Sequence, residues 1–202
     1  MQTTESECAP VELSLAPASV HVRALLSEEH RRFSRLLDVL ADELALFHRG
    51  EQPDYELLQD AFFYLTNYPD RFHHPKEDLL FAAIAERAPQ VQAYVQELGH
   101  QHHRIADAGT RFLAKLQTVL NDGVLTRAEV EQPALEYIAL YRAHIALEER
   151  EIFALGEKCL RPEDWAMIDA QNHSERDPLF GAVLDPRYLS LRNQVTQADA
   201  SG

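Results

Sequence analysis

The sequence predicts an all-α protein: a bundle of four long helices, then a short C-terminal helix and an irregular tail. Three observations carry this reading. Glycine is scarce, seven in 202 residues, while Leu, Ala, Glu and Arg are abundant, which favours helices over turn-rich sheets. Four long stretches space their core-type residues by alternating steps of four and three, the seam of a bundle helix. Cap and breaker residues separate the stretches. A chain of this length can form one domain with a full core.

Residues 1–18 mix Thr, Ser, Glu and two prolines without periodicity and read as a flexible N-terminal arm. Ser19 is a plausible cap for the first helix, whose seam is Leu26, His30, Phe33, Leu37, Leu40, Leu44 and Phe47. Gly50 and Pro53 end it. Asp54 can cap the second helix, which carries Phe62, Leu65, His73, Glu77, Leu80 and Ile84 and runs towards Arg87. Pro69 and Pro75 each remove a backbone donor, so a bend is expected near Tyr68-Pro69 and distortion around His74-Pro75.

Pro89 suits the first turn of the third helix, with seam Val91, Val95, Leu98, His102, Ile105, Gly109, Phe112, Leu116 and Val119. At about 100° per residue, His102 lies on that seam and His100 and His103 lie off it. Asn121-Asp122-Gly123 is a turn. Thr126 and Glu129 form a capping box for the fourth helix, with seam Val130, Ala134, Tyr137, Tyr141, His144, Glu148, Ile152 and Leu155. Arg161-Pro162-Glu163-Asp164-Trp165 reads as a short fifth helix. Beyond Asn172 the chain reads as irregular. Leu179, Phe180, Val183, Leu184, Tyr188 and Leu189 are available to pack on the bundle, and the last dozen residues read as disordered. The divisions expected are 1–18, 19–160 and 161–202.

The net charge of −14 leaves no basic surplus for phosphates, which argues against nucleic acid and anionic membrane partners. Cys8 lies in the loose arm, so a structural disulfide with Cys159 is not expected and a reducing cytoplasm is the simplest compartment. Neither a signal peptide nor a membrane span is expected. Gly-rich phosphate loops, zinc-finger cysteine pairs and nucleophile elbows are absent from the sequence.

Six seam groups remain: His30, His73, Glu77, His102, His144 and Glu148. His73 with Glu77, and His144 with Glu148, are four apart and share a helix face. His30 to His73 spans 43 residues and His102 to His144 spans 42, read from the numbering, so each half of the chain repeats one order of groups. A lone seam histidine is more often a hydrogen-bonded core residue than a ligand. The symmetric set is hard to obtain by chance. Two unpartnered carboxylates in a bundle core would cost on the order of several kcal/mol each. Two cations would offset that charge, and four His with two carboxylates suit iron, zinc or manganese. Each Glu can bridge two metals. His74 could be a seventh ligand through the Pro75 distortion. His21, His48 and His173 read as surface residues. Glu149 and Glu151 read as solvated or paired with Arg150 and Arg142. Tyr137 and Tyr141 read as core residues, Tyr141 within reach of a metal-bound ligand.

Glu29-His30, His73-His74-Pro75-Lys76-Glu77-Asp78 with Leu80-Phe81, Gln101-His102 and His144-Ile145-Ala146-Leu147-Glu148-Glu149 together resemble the hemerythrin-like (HHE cation-binding) domain family. The resemblance covers roughly Ser19 to Leu160. It implies an up-down-up-down four-helix bundle holding two iron ions in a non-haem di-iron centre. Glu77 and Glu148 would bridge, and His73 and His144 would be terminal ligands on opposite irons. It further implies binding or sensing of O2, or handling of nitric oxide, peroxide or iron. Oxygen carriers of the family have two histidines four apart on the third helix. Here Leu98 and Ala106 flank His102 at that spacing, leaving the place to His74 or water. The expectation is a metal- and oxygen-binding protein rather than an enzyme. The alternatives are a di-iron scavenger of peroxide or nitric oxide, and a metal-stabilised signalling or structural module.

Overall fold

The computed structural model describes residues 17–121, 123–170 and 177–200. Expectations for the N-terminal arm, Cys8 and His173 lie outside the described residues. The helices are α1 (Ala18–His48), α2 (Tyr55–Tyr68), α3 (His74–Arg87), α4 (Gln92–Leu120), α5 (Arg127–Leu147), α6 (Phe153–Cys159), α7 (Pro162–Asp169) and α8 (Leu189–Ala200). No strand occurs among the described residues, and none of their helices is long and apolar enough to cross a membrane.

Several ends form as the residue types dictate. The Asp54 carboxylate accepts from the Leu57 amide at 3.0 Å. Thr126 and Glu129 complete their capping box. Gly50 supplies the positive φ of 79° after α1. Ser19 is not a cap: α1 begins at Ala18, with Pro17 at the cap position and no side-chain cap bond.

Two π-helical turns join collinear pieces. Pro69–His73 connects α2 to α3, and Glu148–Ile152 connects α5 to α6. The first explains why Leu65 and His73, eight residues apart, share a face: a π turn takes up one extra residue. Pro69 marks it. The second has no proline and was not legible. It shifts the register by one, so Phe153, off the expected stripe, is buried, while Leu155 is only half-buried.

α1 packs against α2, α5 and α7, and α4 against α2, α3 and α5. Gly109 permits the α2–α4 approach, since a Cβ there would meet Thr66 Cγ2 at 2.2 Å. The apolar interior forms two clusters. The larger includes Phe33, Leu37, Phe62, Leu65, Ile105, Phe112, Tyr137 and Tyr141. The smaller includes Leu26, Leu80, Ile84, Leu98, Ile152, Phe153 and Trp165. The six polar seam groups fall in the chain between members of the two clusters. His30, for instance, lies between Leu26 and Phe33.

The C-terminal segment corrects the expected disorder. α8 is helical, and Leu191 and Val195 are buried in the larger cluster with Leu179 and Tyr188. The four-residue step from Leu191 to Val195 is the signal that was available. Val183 and Leu189, expected to pack, are exposed.

Candidate metal centre

α1 contributes His30. The first π turn and the start of α3 contribute His73, His74 and Glu77. α4 contributes His102, and α5 with its π turn contributes His144 and Glu148. All seven are buried. His30, His73 and Glu77 each place one ligand atom within 4.8 Å of the others, as do Glu77, His102, His144 and Glu148. Either group could hold a metal ion, and Glu77 belongs to both.

The imidazoles share one orientation. Each Nδ1 is held from behind by a side-chain oxygen: Glu149 on His30 at 2.8 Å, Glu29 on His73 at 2.8 Å and Asp70 on His74 at 2.9 Å. Asp78 holds His102 at 3.0 Å, and Gln101 holds His144 at 3.0 Å. An oxygen partner on one ring nitrogen fixes the tautomer and frees the other for a metal.

The Nε2 atoms of His30, His73, His102 and His144 converge on the two carboxylates. His30 and His73 reach Glu77 at 3.0 and 2.9 Å. His102 lies 3.4 Å from Glu77, and His144 lies 3.4 Å from Glu148. Nε2 of His74, His102 and His144, Oε2 of Glu77 and both oxygens of Glu148 are buried without a hydrogen-bond partner. A native interior rarely tolerates such a concentration of unsatisfied atoms. All are metal-ligand atoms by type, so the residues present fit a pair of cations.

His74 is turned inward past Pro75. Its ring stacks on His102 at 4.1 Å and 9°, and its Nε2 has no partner. Rings seal the other side: Phe153 stacks on His30 at 5.8 Å, and Phe33 meets His73 edge-on at 4.8 Å. A cavity of about 230 Å³, open to the surface, is lined by Asp70, His74, Asp78, His102 and His103.

The buried acids and imidazoles shift one another's protonation. Burial disfavours charge on Glu77, but His73, His102 and His30 hold its carboxyl well below the usual range. Burial likewise opposes charge on His30, yet Glu148, Glu149 and Glu77 raise it well above its usual value. His102 is raised to about 11 by Asp78, Glu148 and Glu77 against its burial. His74 falls well below the usual value through burial and the charge of His102.

Sequence reasoning missed the residues behind the rings. Glu149 is not simply solvated or paired with arginine: it accepts from His30 and from the Ser27 hydroxyl at 3.1 Å. Glu151 does pair with Arg150, and also accepts from Tyr94. Glu29, the neighbour of His30, is buried. It binds His73, Lys76 and Tyr68. The i, i+4 step from Asp70 to His74 was a readable signal. His100 and His103 are exposed, and His21 and His48 make surface pairs with Asp169 and Glu131.

The chain is 30% identical over 132 residues to an uncharacterized protein of Haemophilus influenzae, covering 64% of this chain and 73% of that one. No solved structure matches. The description "Hemerythrin HHE cation binding domain" matches residues 21–155. That span contains all the inward-pointing histidines and both carboxylates, and the chain belongs to the hemerythrin HHE cation-binding family.

Proposed function

We propose that this protein is a non-haem di-iron protein that binds or senses O2 or a related small molecule. The observation that carries the reading is the convergence of imidazole Nε2 and carboxylate oxygens, buried and unsatisfied, at one level of the helices. His30 and His73 would hold one iron, and His74, His102 and His144 the other, with Glu77 and Glu148 between them. The bundle reads as up-down-up-down. Along α1 and α4 the chain passes from the smaller apolar cluster to the larger, and along α2–α3 and α5–α6 it passes back.

Two irons bound there would supply a redox-active pair with a coordination position for a small external ligand. The protein's own contribution is positioning. Glu149, Glu29, Asp70, Asp78 and Gln101 fix the rings, so little reorganisation accompanies binding. Phe33 and Phe153 keep water from His73 and His30. The cavity lined by His74 and His102 would be the side from which such a ligand enters.

Metal analysis of protein purified without air, followed by absorption spectra on adding O2, tests the reading. About two irons per chain and the appearance of oxo-bridged di-iron bands are expected. One metal or none per chain, or no such bands, overturns it.

A further inference from the structure

Among the described residues, seven buried side-chain atoms have no hydrogen-bond partner. Six belong to His74, Glu77, His102, His144 and Glu148. The seventh is the hydroxyl oxygen of Tyr141.

Other buried tyrosines near the centre use their hydroxyls. Tyr64 donates to Asp177 at 3.0 Å, Tyr68 to Glu29 at 3.2 Å and Tyr137 to the Leu65 carbonyl at 3.3 Å. Tyr141 is fully buried and sits three residues before His144, on the same face of α5. Its ring lies 6.3 Å from that of His74 and 6.0 Å from that of Phe33. A stranded phenol is destabilising, and phenylalanine would fill the same space without that cost.

We propose that the Tyr141 hydroxyl is the hydrogen-bond donor to the small ligand, an anion or a diatomic, held at the metal centre. The orphaned hydroxyl, on a tyrosine whose ring lies 6.3 Å from that of His74, carries the proposal. Burial, with Tyr137, Glu77, Asp70 and Glu148 nearby, keeps the phenol protonated, so it has a proton to offer an acceptor. The inference names the group that recognises the ligand and rests on the di-iron reading above.

The test compares Tyr141→Phe with the parent, using azide on the oxidised, iron-loaded protein as the probe. Unchanged iron content is expected. Azide affinity should fall roughly tenfold, the worth of one hydrogen bond to a charged acceptor. The deuterium-oxide shift of the bound azide stretch should disappear. The metal-free protein gives an independent readout: Tyr141→Phe should unfold at the same or higher urea concentration, whereas Tyr137→Phe should unfold earlier. Equal azide affinity at full iron content overturns the proposal. So does reduced iron content in Tyr141→Phe, or a metal-free variant less stable than the parent, because either would give the hydroxyl another use. If the parent itself lacks iron, the di-iron reading fails as well, and metal analysis of the parent separates the two failures.

Discussion

Lys76 donates to both carboxylate oxygens of Glu29, at 3.0 and 2.8 Å, in the interior of the protein. Each residue is about 1–2% exposed. Glu29 in turn holds Nδ1 of His73. Four of the five inward imidazoles are steadied by partners nearer the surface, whereas His73 is steadied by a fully buried ion pair. Removing one partner of such a pair leaves an uncompensated charge. Lys76→Ala should therefore destabilise the protein by about 3–5 kcal/mol. Adding Glu29→Gln to Lys76→Ala should recover much of that loss, because the stranded carboxylate goes with it. Urea denaturation of the metal-free proteins measures both. A single variant near parental stability would remove the pair from the structural account.

The same carboxylate sets a pH dependence. Burial opposes ionisation of Glu29, but the hydrogen bond and charge of His73, with those of Lys76, outweigh it and bring its carboxyl from 4.5 down to about 2. A folded value below the unfolded one means stability that is present above pH 4.5 and lost as pH falls towards 2. The metal-free parent should lose stability more steeply across that window than Glu29→Gln. Parallel urea midpoints against pH would contradict this.

Glu149 provides a cleaner test of orientation, because it is half-exposed and its loss should leave the fold intact. Glu149→Ala removes the acceptor behind His30. Loss of such a partner lowers metal affinity about 10–100-fold in comparable sites. Chelator competition should show this drop with an unchanged melting temperature in the metal-free state. Glu151→Ala, whose partners Tyr94 and Arg150 lie at the surface, should bind metal as the parent does. Equal effects of the two variants would mean that Glu149 acts through charge alone.

What could be read in the sequence, and what could not, follows from geometry. A seam with steps of four and three reports burial directly, so Leu26, His30, Phe33 and Leu37, or Ile105, Gly109, Phe112 and Leu116, are all buried as their spacing requires. The inward groups were legible for the same reason. Apart from Asp70, four residues before His74, the ring-steadying residues were not, because they meet across helices: Glu149 and His30 are 119 residues apart, and Glu29 and His73 are 44 apart. The second π turn left no proline to announce it, so the rotation that brings Phe153 onto His30 escaped a regular helical wheel. The C-terminal segment escaped because two apolar residues in a polar stretch are a faint stripe.

That segment is joined to the centre by a continuous set of contacts, which supports a last prediction. The buried Asp177 accepts from the amides of Leu179 and Phe180, at 2.9 Å each, and from the Tyr64 hydroxyl. Tyr64 stacks on Tyr68 at 5.2 Å and 10°, Tyr68 donates to Glu29, and Glu29 holds His73. On the proposed reading, ligation of His73 would narrow the freedom of Glu29 and of the tyrosine pair leaning on it. Restricting one end of a packed network lowers the cost of ordering the other. Metal loading should therefore slow hydrogen exchange at the Leu179 and Phe180 amides. The Tyr64→Phe variant, which loses the bond to Asp177 but keeps the ring, should show a smaller metal-dependent change at the same metal content. Identical exchange in loaded and metal-free parent would show that the C-terminal segment merely covers the bundle. A full response in Tyr64→Phe would place the coupling in packing of Leu179, Tyr188 and Leu191 against the core rather than in the hydrogen-bonded path.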